Sequence, residues 1–306
     1  MSVITACAGH ILGAVSLSID IGGKRVTFSG DVGRYDTPIL PDPQGLEIGD
    51  LLLCESTYGD RIHAAQDSRR ELAMVINKAA SLNGPIIIPA FAVGRTQNLL
   101  YQIAELERDG LVPILPVYVD SPMAINATNI YRSFRHDYDE EAKELLEVGE
   151  TPLLTENTVF CKSVESSKSL NELQGSRIII SASGMVTGGR VLHHMIQWLG
   201  NEDTTVLFVG FQANGTRGSI IQSGAKEVKI FGKYVRIRAN IETISGLSAH
   251  GDREELLRWL GSCTGVPAEV KVVHGEPESS RAFAFALESR LDWKAKPAEY
   301  LETVEI

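Results

Sequence analysis

The chain has 306 residues, 43% hydrophobic and 22% charged, with 39 acids against 29 bases and a formal charge of −10. That length suits one large domain or two, and the composition excludes disordered, collagen-like and coiled-coil chains. No apolar run reaches the roughly 18–20 residues that span a bilayer, and residues Met1 to Cys7 lack the basic start of a signal peptide.

The opening reads as a β-hairpin. Leu17, Ile19 and Ile21 alternate with polar residues, Gly22-Gly23 makes the turn, and Val26 and Phe28 return. A loop from Pro38 to Gly45 leads to a buried strand, Leu51 to Cys54. The period then changes: Ser68 and Glu71 suggest a capping box before Leu72, Val75, Ile76 and Ala79 at helical spacing. A strand at Ile86–Ile88 precedes a helix carrying Leu99, Leu100, Ile103 and Leu106, closed by Gly110. Further strands are predicted at Ile114–Val119, Arg177–Ser181 and Val206–Val209, with a helix opening at Ser121-Pro122. Between them, His136 to Glu150 holds seven acids and one lysine, a net of −6. This reads as a solvated helix face, so most of the acidic excess is local and basic patches are allowed elsewhere. Short strands follow at Val228–Ile230 and Val235–Ile237. Then come a helix over Glu254–Leu260, a strand over Glu269–Val273, a helix from about Ser280 and a last strand near Tyr300–Val304. The β-α-β-α rhythm predicts an α/β fold with a parallel sheet covered by helices. The four cysteines are widely spaced, form no CxxC, and read as reduced cysteines of a cytoplasmic protein.

Polar groups recur where a strand ends at a glycine-containing turn. They are Gly9-His10, Ser29-Gly30-Asp31, Glu55-Ser56-Thr57-Tyr58-Gly59-Asp60 and Val273-His274-Gly275-Glu276; Ser248-Ala249-His250-Gly251-Asp252 precedes a helix. Ligands gather at the carboxyl ends of strands in open α/β sheets. Neutral imidazole and carboxylate are usual zinc ligands. Taken singly, each element also reads as a turn, a helix cap or a strand–turn junction.

In order, these elements resemble the β-CASP group of the metallo-β-lactamase superfamily, the RNA-processing nucleases. The resemblance also covers Ala8 to Ala14, Asp31-Val32-Gly33-Arg34, Pro89 to Gln97, Ser183-Gly184-Met185 and Gly188-Gly189-Arg190. It implies a partial metallo-β-lactamase αβ/βα sandwich with an inserted β-CASP domain, a parallel sheet flanked by helices. The outer domain would take residues 1–62 and 241–306, and the insertion 63–240. It implies His10 as ligand of one zinc, Asp31 as the carboxylate bridging two zincs, and His274 as ligand of the second. His250 matches a histidine that contacts the scissile phosphate and protonates the leaving oxygen, and Glu55 the acid that orients it. The implied reaction is hydrolysis of RNA phosphodiester bonds, endonucleolytic or from the 5′ end, with zinc as cofactor, RNA as partner and no membrane.

Gly94-Arg95 at a helix start suits phosphate, because exposed amides and a guanidinium meet there; a packing turn with Arg95 in a salt bridge suits it equally. Ser181 to Met185 and Gly210 to Gly218 are Gly-rich turns matching elements that line the family's nucleic-acid cleft. Ser248, Arg95, Ser183, Gly184 and Arg217 are therefore expected to bind substrate phosphate. Arg61, Arg95, Arg190 and Arg217 can form a basic channel. Tyr58 and Phe91 are candidates for base stacking.

One departure matters. The family's main metal motif, His-x-His-x-Asp-His, is absent: the seven histidines are at 10, 63, 136, 193, 194, 250 and 274. His193 and His194 read as packing or surface residues of a helix. The chain thus looks like an N-terminally truncated one with three of the family's seven ligand residues, weakly active or inactive. An apolar sheet face is expected to be uncovered, giving a homodimer or self-association. Two alternatives stand beside this reading: a non-catalytic RNA-binding or scaffold subunit, and another metallo-β-lactamase-fold hydrolase acting on small esters or thioesters.

Overall fold

A computed structural model describes residues 1–63, 67–244 and 246–306. The chain divides into two compact units: Met1–His63 with Ala249–Ile306, and Ala64–Ser248. The first begins with β1 (Ser2–Cys7), β2 (Val15–Ile21), β3 (Lys24–Phe28) and β4 (Leu51–Glu55). The second contains α1 (Ser68–Ser81), β5 (Pro85–Pro89), α2 (Arg95–Arg108), β6 (Val117–Val119), α3 (Pro122–Ser133), α4 (Glu140–Glu147) and β7 (Thr158–Phe160). It continues with α5 (Val164–Ser169), β8 (Arg177–Ser181), α6 (Val191–Trp198), β9 (Thr205–Phe208), α7 (Arg217–Gln222), β10 (Glu227–Ile230), β11 (Lys233–Arg236) and β12 (Asn240–Thr243). The first unit resumes with α8 (Arg253–Ser262), β13 (Glu269–Val273), α9 (Pro277–Leu291) and β14 (Ala295–Pro297).

The first unit's sheet has the order β1-β2-β3-β4-β13-β14. The opening pairs are antiparallel; β3-β4, β4-β13 and β13-β14 are parallel. Leu52, Cys54, Val270 and Val272 meet Leu256, Trp259 and Leu260 of α8 and Phe283 and Leu287 of α9 in one core. Alternation along the hairpin has an unexpected sense. Ser16, Ser18 and Thr27 are the buried residues, and Ser18 and Thr27 hydrogen-bond at 2.7 Å. Leu17, Ile19, Val26 and Phe28 lie half-buried on the other face, beside the exposed Val3, Val15 and Ile21. A period of two says which residues share a face, not which face is covered.

The second unit holds an all-parallel sheet, β12-β9-β5-β8-β6-β7, and the β10-β11 hairpin. Its central strands are buried on both sides, as a parallel sheet requires. Ile86, Ile88, Ile178 and Ile180 pack with Leu72, Leu99 and Ile103; Ile87, Val206 and Phe208 face Val191, Met195 and Ile221. Strand β12 pairs with β9, so the expected return to the outer unit at 241 falls inside this sheet; the second unit runs to Ser248.

Other details differ from the sequence reading. Asp67, not Ser68, caps α1, its carboxylate accepting the Arg70 amide. Strand β6 starts at Val117, after an exposed Ile114. The last strand is Ala295–Pro297, paired in register with Val270–Val272, while Tyr300 and Leu301 are exposed. No helix of the described residues is long and apolar enough to cross a membrane.

Candidate metal and proton-transfer site

Within the first unit, the carboxyl ends of three adjacent parallel strands bring the polar groups together. Asp31 follows β3, Glu55 ends β4 and His274 follows β13. His10 arrives from the loop after β1, and His250 lies just before α8, in a β-bridge with Gly33. Close backbone approach makes this possible. A Cβ on Gly33 would stand 2.0 Å from the Gly9 carbonyl oxygen, so only glycine fits there. His274 has φ of +54°, a left-handed backbone that is strained for a non-glycine residue and turns its side chain into the cluster.

Asp31 is the hub. Its Oδ2 is 3.9 Å from His10 Nε2 and its Oδ1 is 3.4 Å from His274 Nδ1. One carboxylate thus faces a different imidazole with each oxygen. Burial, aided by the neighbouring His250, lowers the His10 pKa and favours its neutral form, the form that ligates metal. His10 Nδ1 is buried with no hydrogen-bond partner. Two imidazoles and a carboxylate are a donor set that fits zinc. His10, Asp31 and His250 bring ligand atoms within 4.8 Å of one another, as do Glu55, His250 and His274, so the residues present fit a metal site.

Glu55 is 1% exposed and accepts the Val32 amide at 2.6 Å and the Thr57 amide at 3.2 Å. Its Oε1 lies 3.2 Å from His250 Nδ1. Burial alone would raise the Glu55 pKa, but the bonds from His250, Thr57 and Val32 outweigh it and hold the carboxyl below its ordinary value. An ionised Glu55 fixes the orientation of the His250 ring. The His250 ring lies 4.3 Å from that of His10 and 5.6 Å from that of His274.

Two residues here had no role assigned from sequence. Thr57 Oγ1 lies 3.1 Å from His274 Nδ1 and 3.4 Å from His250 Nδ1, and donates to the His274 carbonyl. His63 approaches the His250 carbonyl at 3.2 Å and packs edge-on against Tyr58. Thr57 stood inside a recognised motif; His63 carries no spacing signal. Tyr58 is buried, 7% exposed, so it is a core residue and not a stacking surface.

The expected phosphate ligands map to the second unit. The loops after β5, β8 and β9 lie at one edge of the parallel sheet. Gly184 packs against Phe91, which is half-exposed, and Gln212 donates to the Gly184 carbonyl. Ser183 Oγ accepts the Thr187 and Gly188 amides. Arg217 opens α7 and donates to the Lys229, Val186 and Thr187 carbonyls. Arg95 is buried at the start of α2. Ser248 is buried at the end of the unit. Arg190 turns inward to Asp120, and Arg61 pairs with Asp60, which weakens the basic channel expected of them.

Asp120 is fully buried and holds Arg190, His194 and Ser167. Burial would raise its pKa; these bonds outweigh it and lower it. Its contribution to stability is then complete above the ordinary carboxylate value of about 3.9 and is lost as pH falls below it. Asp120→Ala takes the carboxylate from the partly buried Arg190 and the fully buried His194 and is expected to cost about 3–5 kcal/mol, read as a lower urea midpoint near pH 7.

Comparison with known proteins is decisive for the family. The Beta-Casp domain matches residues 96–221, and the Zn-dependent metallo-hydrolase RNA specificity domain matches residues 234–296. The chain belongs to the β-CASP family of the metallo-β-lactamase superfamily. Among β-CASP relatives, it is 34% identical to "Ribonuclease TTHA0252" of Thermus thermophilus, over 95% of this chain and 66% of that protein. It is 32% identical to an "RNase J-like protein" of Methanocaldococcus jannaschii, over 92% and 65% of the two chains. It is 30% identical to "Transcription termination factor FttA" of Methanosarcina mazei, over 98% and 49%. This β-CASP chain thus spans 49–66% of the length of these relatives.

Proposed function

We propose that this chain carries the later metal ligands, the proton donor and the RNA-binding loops of a zinc-dependent RNA phosphodiester hydrolase. The observation that carries the reading is Asp31 set between His10 and His274, beside a His250 held by a buried Glu55. His10, Asp31 and His274 would hold metal. Bound zinc would lower the pKa of attacking water and neutralise charge on the phosphate. His250, oriented by Glu55, gives its proton to the leaving oxygen. Ser183, Gly184, Arg95, Arg217 and Ser248 bind phosphate or hold the loops that do. The free cysteines fit a cytoplasmic protein.

The His-x-His-x-Asp-His motif is missing from this sequence. Three ligand residues shared between two zincs hold them poorly. We therefore expect RNA binding with little cleavage. Incubation with labelled RNA and added zinc tests this. Any residual cleavage should vanish in His250→Ala while binding persists; thioester hydrolysis in place of RNA binding would defeat the proposal.

The half-buried apolar face of β1–β3 also predicts self-association. Sedimentation at rising concentration should show mass increasing beyond one chain, and Ile21→Lys should reduce it. A wild-type monomer at all concentrations would refute this.

A further inference from the structure

The second unit contains a buried polar network that the proposed chemistry does not use. Asp120 follows β6 and is 0% exposed. Its Oδ1 accepts Arg190 Nη1 at 2.7 Å; its Oδ2 accepts Ser167 Oγ at 2.6 Å and lies 2.8 Å from His194 Nε2. Arg190 also donates to the Cys161 and Lys162 carbonyls. The bonds to Asp120 are all buried or partly buried. Burying a carboxylate is expensive unless its partners are all in place, so this network fixes something.

What it fixes is the loop after β8. At the loop's start, Ser183 Oγ accepts the Thr187 and Gly188 amides, and the Ser183 amide donates to the Gly188 carbonyl. At its end stands Arg190, clamped by Asp120. The next turn, α6, is tied to the same carboxylate through His194. Loop and helix are thus anchored at one buried oxygen pair.

We propose that Asp120 is a positioning residue for RNA binding. It turns Arg190 inward so that residues 183–190 keep one shape, and Arg190 acts through that shape without itself meeting phosphate. The proposal rests on the reading of this loop as RNA-binding. A loop that keeps its binding shape only a tenth of the time loses about tenfold in affinity.

The test is binding of a fluorescein-labelled single-stranded RNA at several salt concentrations, on variants confirmed as folded by circular dichroism. Asp120→Asn and Arg190→Gln should each weaken binding about tenfold. The double variant should be no weaker than either single one, because both act through one network. The slope of log affinity against log salt should stay at the wild-type value in Arg190→Gln. A lost phosphate contact would lower it by about 0.7, and that result overturns the proposal. Wild-type affinity in folded Asp120→Asn or Arg190→Gln also overturns it. If Asp120→Asn does not fold, Arg190→Gln decides alone, since it leaves Asp120 with His194 and Ser167. Gly188→Asp checks the underlying reading: its Cβ would meet nothing within 4 Å, so it adds only a repulsive charge. If Gly188→Asp binds RNA normally, the loop does not touch RNA, and reading and proposal fall together. If Gly188→Asp is weakened while Asp120→Asn is not, the proposal alone falls.

Discussion

Asp31→Ala should remove zinc binding from this chain. Asp31 faces both His10 and His274, with a different oxygen toward each. Without it, His10 and His274 lose the carboxylate that stands between them. Loss of even an outer-shell partner weakens metal binding about 10–100-fold, and loss of the hub should exceed that. His10→Ala and His274→Ala should each leave weaker residual binding. Calorimetric titration of zinc into metal-free protein reads these differences. The backbone should not suffer, because Asp31 is half-exposed and bears no buried hydrogen-bond load.

Glu55→Ala should strongly destabilise the first unit. It strands the Val32 and Thr57 amides and the His250 ring at a site that is 1% exposed. Breaking a buried pair of this kind costs about 3–5 kcal/mol. Glu55→Gln keeps the shape but not the charge, and should cost about 1–3 kcal/mol. Tryptophan fluorescence during urea unfolding suits the measurement, since Trp259 and Trp293 lie in this unit's core. Equal midpoints for wild type and Glu55→Ala would mean that the carboxylate does not organise the site.

Much of the fold was legible locally. Ser121-Pro122 as cap and first residue of α3, Asp252 as cap of α8, and strands Arg177–Ser181 and Glu269–Val273 all follow from short-range chemistry. What was not legible depends on tertiary surroundings. The hairpin's alternation was plain, but Ser16, Ser18 and Thr27 take the buried side because hydroxyls there pair with one another and with carbonyls. Tyr300 and Leu301 look like strand residues, yet Ala295–Pro297 is the segment that meets β13. The site shows the same division. Motifs pointed to His10, Asp31, Glu55, His250 and His274, and the strand ends bring them together. The place of Thr57 between two imidazoles, and the inward turn of Arg190, depend on folded geometry that spacing does not encode.

The central claim is that this chain keeps the RNA-binding loops and only part of a metal centre. Elemental analysis of protein purified without chelator, with the same sample then mixed with labelled RNA, tests it most directly. The account predicts fewer than two zincs per chain, readily removed by chelator, and RNA bound but scarcely cut. Two tightly held zincs per chain together with efficient RNA cleavage would contradict it.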